Sequence, residues 1–97
     1  MRLRFTPRAT DDILEIGHYF SQRNPDAGRH VRAAIYEGLR ALLLFPHAGR
    51  QQKVGQVRKF VTRRYSYLIY YLADESAGEI VVLNVKHPAR EREHQDR

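Results

Sequence analysis

The chain has 97 residues, 42% hydrophobic and 29% charged, which suits one globular domain with a small core and leaves no room for a second. Its 17 Lys and Arg against 11 Asp and Glu leave a formal charge of +6, a surplus that points to an anionic partner, nucleic acid or an acidic protein. Cysteine is absent, which excludes disulfides, thiolate catalysis and cysteine-based zinc sites; with no signal-peptide core and no membrane-spanning window, a cytoplasmic protein without membrane association is expected.

Arg2-Leu3-Arg4-Phe5-Thr6 alternates polar with apolar, predicting a short strand with Leu3 and Phe5 inward. Thr6-Pro7 then opens a helix: threonine caps well, and proline is tolerated where its missing N–H has no partner anyway. Ala9, Ile13, Ile16 and Phe20 recur at helical spacing, which places that helix over roughly 7–23. Asp11, Asp12 and Glu15 sit in its N-terminal half, where the helix dipole favours negative charge; that reading outweighs a metal or acid–base cluster.

Asn24-Pro25-Asp26 repeats the stop-and-restart grammar, and a second helix carries Val31, Ala34, Ile35, Leu39, Leu42 and Phe45 on one stripe until Pro46 ends it. So short a link makes the helices an antiparallel hairpin. Pro46–Arg50 reads as a turn and Gln51–Gln56 as a polar connection. Val57–Thr62 is expected as a strand, with Val57, Lys59 and Val61 on one face and Arg58 and Phe60 on the other.

Tyr67–Ala73 and Ile80–Val85 are apolar, β-branched and aromatic arms flanking the polar, Gly-containing turn Asp74–Glu79, the signature of a hairpin. The predicted fold is therefore α+β, in the order β-α-α-β-β-β, with the helical hairpin on one face of a mostly antiparallel sheet. Residues 1–90 form the domain and 91–97 a charged C-terminal tail. A sheet with one wet face alternates apolar with polar, and Tyr67–Leu72 does not. If Leu68, Tyr70 and Leu72 meet the helices, Tyr67, Ile69 and Tyr71 remain as a docking surface. Basic residues border this hairpin: Arg58, Lys59, Arg63 and Arg64 before it, Lys86, His87 and Arg90 after.

Several chemistries find no support. His18, His30, His47, His87 and His94 include no pair at ligand spacing with a supporting carboxylate, so no metal is expected. Neither a Gly-rich phosphate loop nor a Gly-x-Ser-x-Gly elbow occurs, and no cofactor is expected. Tyr65, Tyr67, Tyr70 and Tyr71 suit core packing and partner contact better than base stacking, because they fall on both faces.

In element order, in the turn Phe45-Pro46-His47-Ala48-Gly49-Arg50, in the strand Tyr65-Ser66-Tyr67-Leu68-Ile69-Tyr70-Tyr71 and in the ending Val85-Lys86-His87-Pro88-Ala89-Arg90, the chain resembles the RelE/ParE toxin superfamily of bacterial type II toxin–antitoxin systems. The resemblance spans residues 3–90 and implies a toxin silenced by a cognate antitoxin protein, with operator DNA met only through that antitoxin. RelE-like members cleave messenger RNA on the ribosome; ParE-like members poison DNA gyrase without chemistry of their own. Tyr67 stands where RNase members carry an arginine before the Leu-Val-Tyr-like run, and tyrosine offers no permanent charge for a pentavalent phosphate. The His87-Pro88-Ala89-Arg90 ending is closer to the His-x-x-Arg of ParE-like chains, so the resemblance favours that branch.

The ParE-like reading implies target contacts through Arg50, Lys53, Arg58, Arg63, Arg64, His87 and Arg90, and antitoxin contacts through Tyr67, Ile69 and Tyr71. The alternative, a ribosome-dependent mRNA endoribonuclease, would draw acid, base and phosphate clamps from His87, Arg58, Arg64 and Arg90, with His87 the proton exchanger near neutral pH.

Overall fold

A computed structural model describes residues 1–89. Strand β1 (Arg2–Phe5) leads into helix α1 (Pro7–Arg23) and helix α2 (Pro25–Leu44), followed by β2 (Arg50–Gln51), β3 (Arg58–Val61), β4 (Leu68–Asp74) and β5 (Glu79–Lys86). Both helix starts follow the expected grammar. Thr6 Oγ1 accepts from Ala9 N at 3.1 Å, Asn24 Oδ1 accepts from Ala27 N at 3.1 Å, and a proline fills each first turn.

The strands form one sheet in the order β1-β5-β4-β3-β2, with β1 parallel to β5 and every other pair antiparallel. The helical hairpin covers one face, as the sequence implies. The additional element is β2: Arg50 and Gln51 pair with Lys59 and Arg58, so part of the expected turn and connection is an edge strand. A two-residue strand has no periodicity of its own to betray it.

Val31, Ile35, Leu39 and Leu42 of α2, Ala9 of α1, Ile69 and Tyr71 of β4, and Ile80, Val82 and Val85 of β5 make the core. Two sequence expectations are corrected here. Phe45, placed on the buried stripe, is the C-cap of α2 and is 65% exposed. The sheet faces are also reversed: Tyr67, Ile69 and Tyr71, expected to remain outside, are 4%, 0% and 0% exposed in the chain's own core. Leu68, Tyr70 and Leu72 alternate onto the face opposite the helices. Alternation fixes which residues share a face, and only the packing of the helices decides which face is inside.

Val82 and Val85 are both buried although an odd spacing would send them to opposite faces. A bulge resolves this: Tyr70 pairs with Asn84 and Tyr71 with Val82, leaving Leu83 as the extra residue. The start of α1 satisfies the backbone groups freed there. Thr6 Oγ1 donates to Leu83 O at 2.7 Å, Thr6 N to Val82 O at 3.0 Å, and Asp12 Oδ2 accepts from Val85 N at 3.0 Å. Asp12 thus does more than answer a helix dipole. The first turn of α1 holds no acidic residue, and the dipole's influence fades beyond it.

Candidate functional site

At one end of β3 and β4 the chain after α2 folds under the sheet edge and is tied down from several directions. The Tyr71 hydroxyl, buried beneath the turn, donates to Pro46 O at 2.8 Å and accepts from Gly49 N at 2.9 Å. Burial pushes that phenol's pKa up, while the Gly49 N–H and the nearby Arg58 guanidinium pull in the opposite direction. Gly49 is required by contact: a Cβ there would stand 2.6 Å from the Tyr71 ring and 3.0 Å from Lys59 O. Arg58 Nη1 donates to Gly49 O at 2.9 Å and to His47 O at 3.4 Å, so its guanidinium is committed to carbonyls of the same turn. A hydrogen bond between the His47 ring and the Glu75 carboxylate joins the turn to the β4–β5 loop.

At the other end, residues 62–67 connect β3 to β4. Thr62, 2% exposed, donates through Oγ1 to Arg64 O at 2.6 Å and accepts from Tyr67 N at 2.9 Å, while Thr62 N donates to Tyr67 O at 2.8 Å. Two adjacent non-glycine residues of this tip, Tyr65 and Ser66, have φ of 65° and 53°. The left-handed region costs an L-residue roughly 1–2 kcal/mol, so the brace at Thr62 holds a conformation the local sequence does not favour. The tip presents Arg63, Arg64 and the half-exposed Tyr65 ring; Arg64 also approaches Glu37 of α2 at 3.9 Å, an exposed pairing of little energetic weight.

Beside this tip, α1 and the end of β5 enclose a groove of about 430 Å³. Ile16, Phe20 and Val85 give it an apolar floor, with Glu15, Tyr19, Tyr67 and His87 around it. The His87 ring meets Tyr67 edge-on at 5.4 Å, and His87 Nδ1 accepts from Ala89 N at 3.1 Å. A neutral His87 with that acceptor carries its proton on Nε2. Burial raises the Tyr67 pKa, and Tyr19 adds to the shift, so the phenol stays protonated well beyond neutrality.

The residues proposed from sequence therefore form two groups. Arg50 on β2, Lys53 in the connection beyond it and Arg58 at the start of β3 lie at or near the braced turn. Arg63, Arg64 and His87 gather at the tip, since Lys86 pairs with Leu68 and His87 follows it. Arg58 pairs with Tyr71, three residues or roughly 10 Å along the strand from that end. The set His87, Arg58 and Arg64 is thus not brought into one pocket; Arg90 lies outside the described residues. Of the proposed antitoxin contacts, Ile69 and Tyr71 are walled in, and only Tyr67 reaches a concave surface, as an edge of the groove. Sequence reasoning does not reach the brace at Thr62 or the strained backbone at Tyr65-Ser66, and it reads Asp12 only as a helix-dipole charge. Only the doublet carries a signal in the sequence, as ordinary residues where a hairpin tip usually has Asn or Gly.

Among the described residues no group of three His, Asp or Glu side chains converges to hold a metal ion. No helix of the described residues is long and apolar enough to cross a membrane.

Comparison with known proteins places this arrangement. The family model described as the ParE toxin of the type II toxin–antitoxin system parDE matches residues 3–92. The curated protein Y4kP of Sinorhizobium fredii is 33% identical over 86 residues, which cover 89% of this chain and 86% of Y4kP. Among solved structures, the chromosomal ParDE system of P. aeruginosa superposes with a TM-score of 0.73 at 24% identity, covering 90% of this chain and 95% of that one. The isolated E. coli RelE toxin gives a TM-score of 0.64 at 17% identity, covering 97% and 95%. The E. coli RelBE complex gives 0.64 at 20% identity, covering 87% and 92%. At these identities the structural likeness speaks to the fold alone.

Proposed function

The chain belongs to the ParE toxin family of type II toxin–antitoxin systems, and we propose that it acts by binding and inhibiting DNA gyrase until a cognate antitoxin silences it. The observation that carries the choice over RNA cleavage is the commitment of Arg58. Cleavage by 2′-hydroxyl attack needs an acid, a base and a cationic phosphate clamp around one phosphate. Arg58 donates to Gly49 O and His47 O instead, a strand's length from His87, and Tyr67 at the middle-strand position carries a protonated phenol. A protein that traps an enzyme's own cleaved intermediate needs only complementary surface, and two cationic regions on a chain of +6 charge can supply it.

The direct experiment adds purified protein to a gyrase supercoiling reaction, where the expected result is loss of supercoiling with accumulation of cleaved DNA. Unimpaired supercoiling, together with messenger RNA cut on translating ribosomes, would transfer the chain to the RelE-like mechanism.

The antitoxin reading also changes residues. An apolar segment of an acidic partner fits the groove floored by Ile16, Phe20 and Val85, with Tyr19 and Tyr67 at its sides and the +6 charge drawing the partner in. Tyr19 is 52% exposed, so Tyr19→Glu leaves the fold intact while placing a carboxylate in the path of that segment. Reduced co-purification of the antitoxin with this variant is expected; undiminished co-purification would remove the groove from the interface.

A further inference from the structure

The β3–β4 tip has a construction that packing alone does not explain. Neighbouring left-handed residues are ordinarily Gly or Asn, which adopt that backbone without strain. Here they are Tyr65 and Ser66, with φ of 65° and 53°, and the Tyr65 side chain they hold out remains 49% exposed. Beneath them Thr62 fastens the loop through three hydrogen bonds, to Arg64 O, from Tyr67 N and, by its own backbone, to Tyr67 O. The strained geometry is thereby fixed, and it holds the Tyr65 ring out on the same exposed segment as Arg63 and Arg64, the latter with its guanidinium 3.9 Å from Glu37. Lys86, paired with Leu68 at the same end of the sheet, carries its ammonium over the Tyr70 ring, 5.5 Å from the centroid.

We infer that the Arg63–Ser66 tip is a contact for single-stranded nucleic acid, in which Arg63 and Arg64 hold phosphates and Tyr65 stacks on an unpaired base. Two guanidiniums alone would equally serve an acidic polypeptide. The raised, half-exposed ring favours nucleic acid, because bases present a flat π-face that carboxylate side chains lack, and stacking on aromatic residues beside a cationic track is how single strands are gripped. The inference rests on the gyrase reading only for its setting, the opened DNA that a topoisomerase holds. Binding is measured without gyrase, so failure here leaves the supercoiling result untouched, and failure there leaves this one.

The test titrates the full chain into a fluorescent oligothymidine 12-mer and follows anisotropy across a range of salt, with an oligoglutamate peptide as the competing class. The wild-type protein binds the oligonucleotide, and the affinity falls as salt rises. Replacing both Arg63 and Arg64 by alanine flattens the dependence of log K on log salt by about 1.4, the share of two single-strand phosphates. Tyr65→Gly weakens binding by about tenfold or more, while Tyr65→Phe restores it. Glycine accepts the left-handed backbone, so Tyr65→Gly keeps or raises the thermal midpoint, which separates a lost stack from a lost fold. Ser66→Gly relieves the same strain without touching the ring and must bind as the wild type does. Wild-type affinity in Tyr65→Gly, an unchanged salt slope in the double arginine variant, or binding of the peptide in place of the oligonucleotide each overturns the inference.

Discussion

The two ends of the β3–β4 hairpin use the same residue types to opposite purposes. At the Arg58–Tyr71 end, a guanidinium and a phenol turn inward onto the carbonyls and N–H of the Pro46–Arg50 turn. At the Arg63–Ser66 end, guanidiniums and a phenol turn outward, and the backbone itself takes the strain. An arginine's position in the sequence therefore says little about what it does. Arg58 and Arg63 belong to one basic run, yet one holds the fold together and the other faces solvent. What separates them is access to unpaired backbone carbonyls, which the turn offers and the tip has already satisfied through Thr62.

The largest effect expected from breaking this contrast comes at the braced end. Tyr71→Ala removes a fully buried ring and both hydrogen bonds to the turn, and should lower unfolding free energy by about 3–5 kcal/mol in urea titration. Thr62→Val undoes the brace at the tip instead: with Tyr67 N and Arg64 O left unpaired, a loss of about 1–3 kcal/mol is expected. Arg58→Lys keeps the charge but not the planar, fixed Nη1 that alone serves both carbonyls, and should cost about 1–2 kcal/mol while speeding amide exchange across residues 47–50. Were Arg58 a target contact rather than a strut, that variant would lose gyrase inhibition with its stability unmoved.

In the other direction, Ser66→Gly should stabilise the chain by about 1 kcal/mol, since among the described residues only the tip holds non-glycine residues in a region glycine occupies freely. The mildest effect concerns pH. Tyr67 and Tyr71 have folded-state pKa values raised above the ordinary 10.0, chiefly by burial, so their stabilisation is complete below that value and is lost as pH climbs through the folded values. Alkaline unfolding followed by circular dichroism should therefore begin above about pH 10, and Tyr67→Phe should move its onset upward.

Much of the architecture is legible in the residues. Thr6-Pro7 and Asn24-Pro25 mark both helix starts, Pro46 marks the end of the second, and the two apolar arms about Asp74–Glu79 declare their hairpin, because capping chemistry and strand propensity act over a few neighbouring residues. The candidate site is less so. Tyr67, Ile69 and Tyr71 share a face by alternation, but alternation is symmetrical and cannot name the side the helices cover. The split of the cations between the two ends follows from strand pairing, which unites residues distant in the chain and parts near ones.

Taken by itself, the sequence determines the helices, the order of the elements apart from the edge strand β2, the surplus of positive charge and the resemblance to a toxin family, all properties of short segments or of composition. The tertiary structure alone decides that Leu83 bulges, that Asp12 and Thr6 answer the backbone this exposes, and that Arg58 faces inward while Arg63 and Arg64 face out. Those outcomes depend on which buried donors and acceptors are left without partners once the sheet has formed, and that balance exists only in three dimensions.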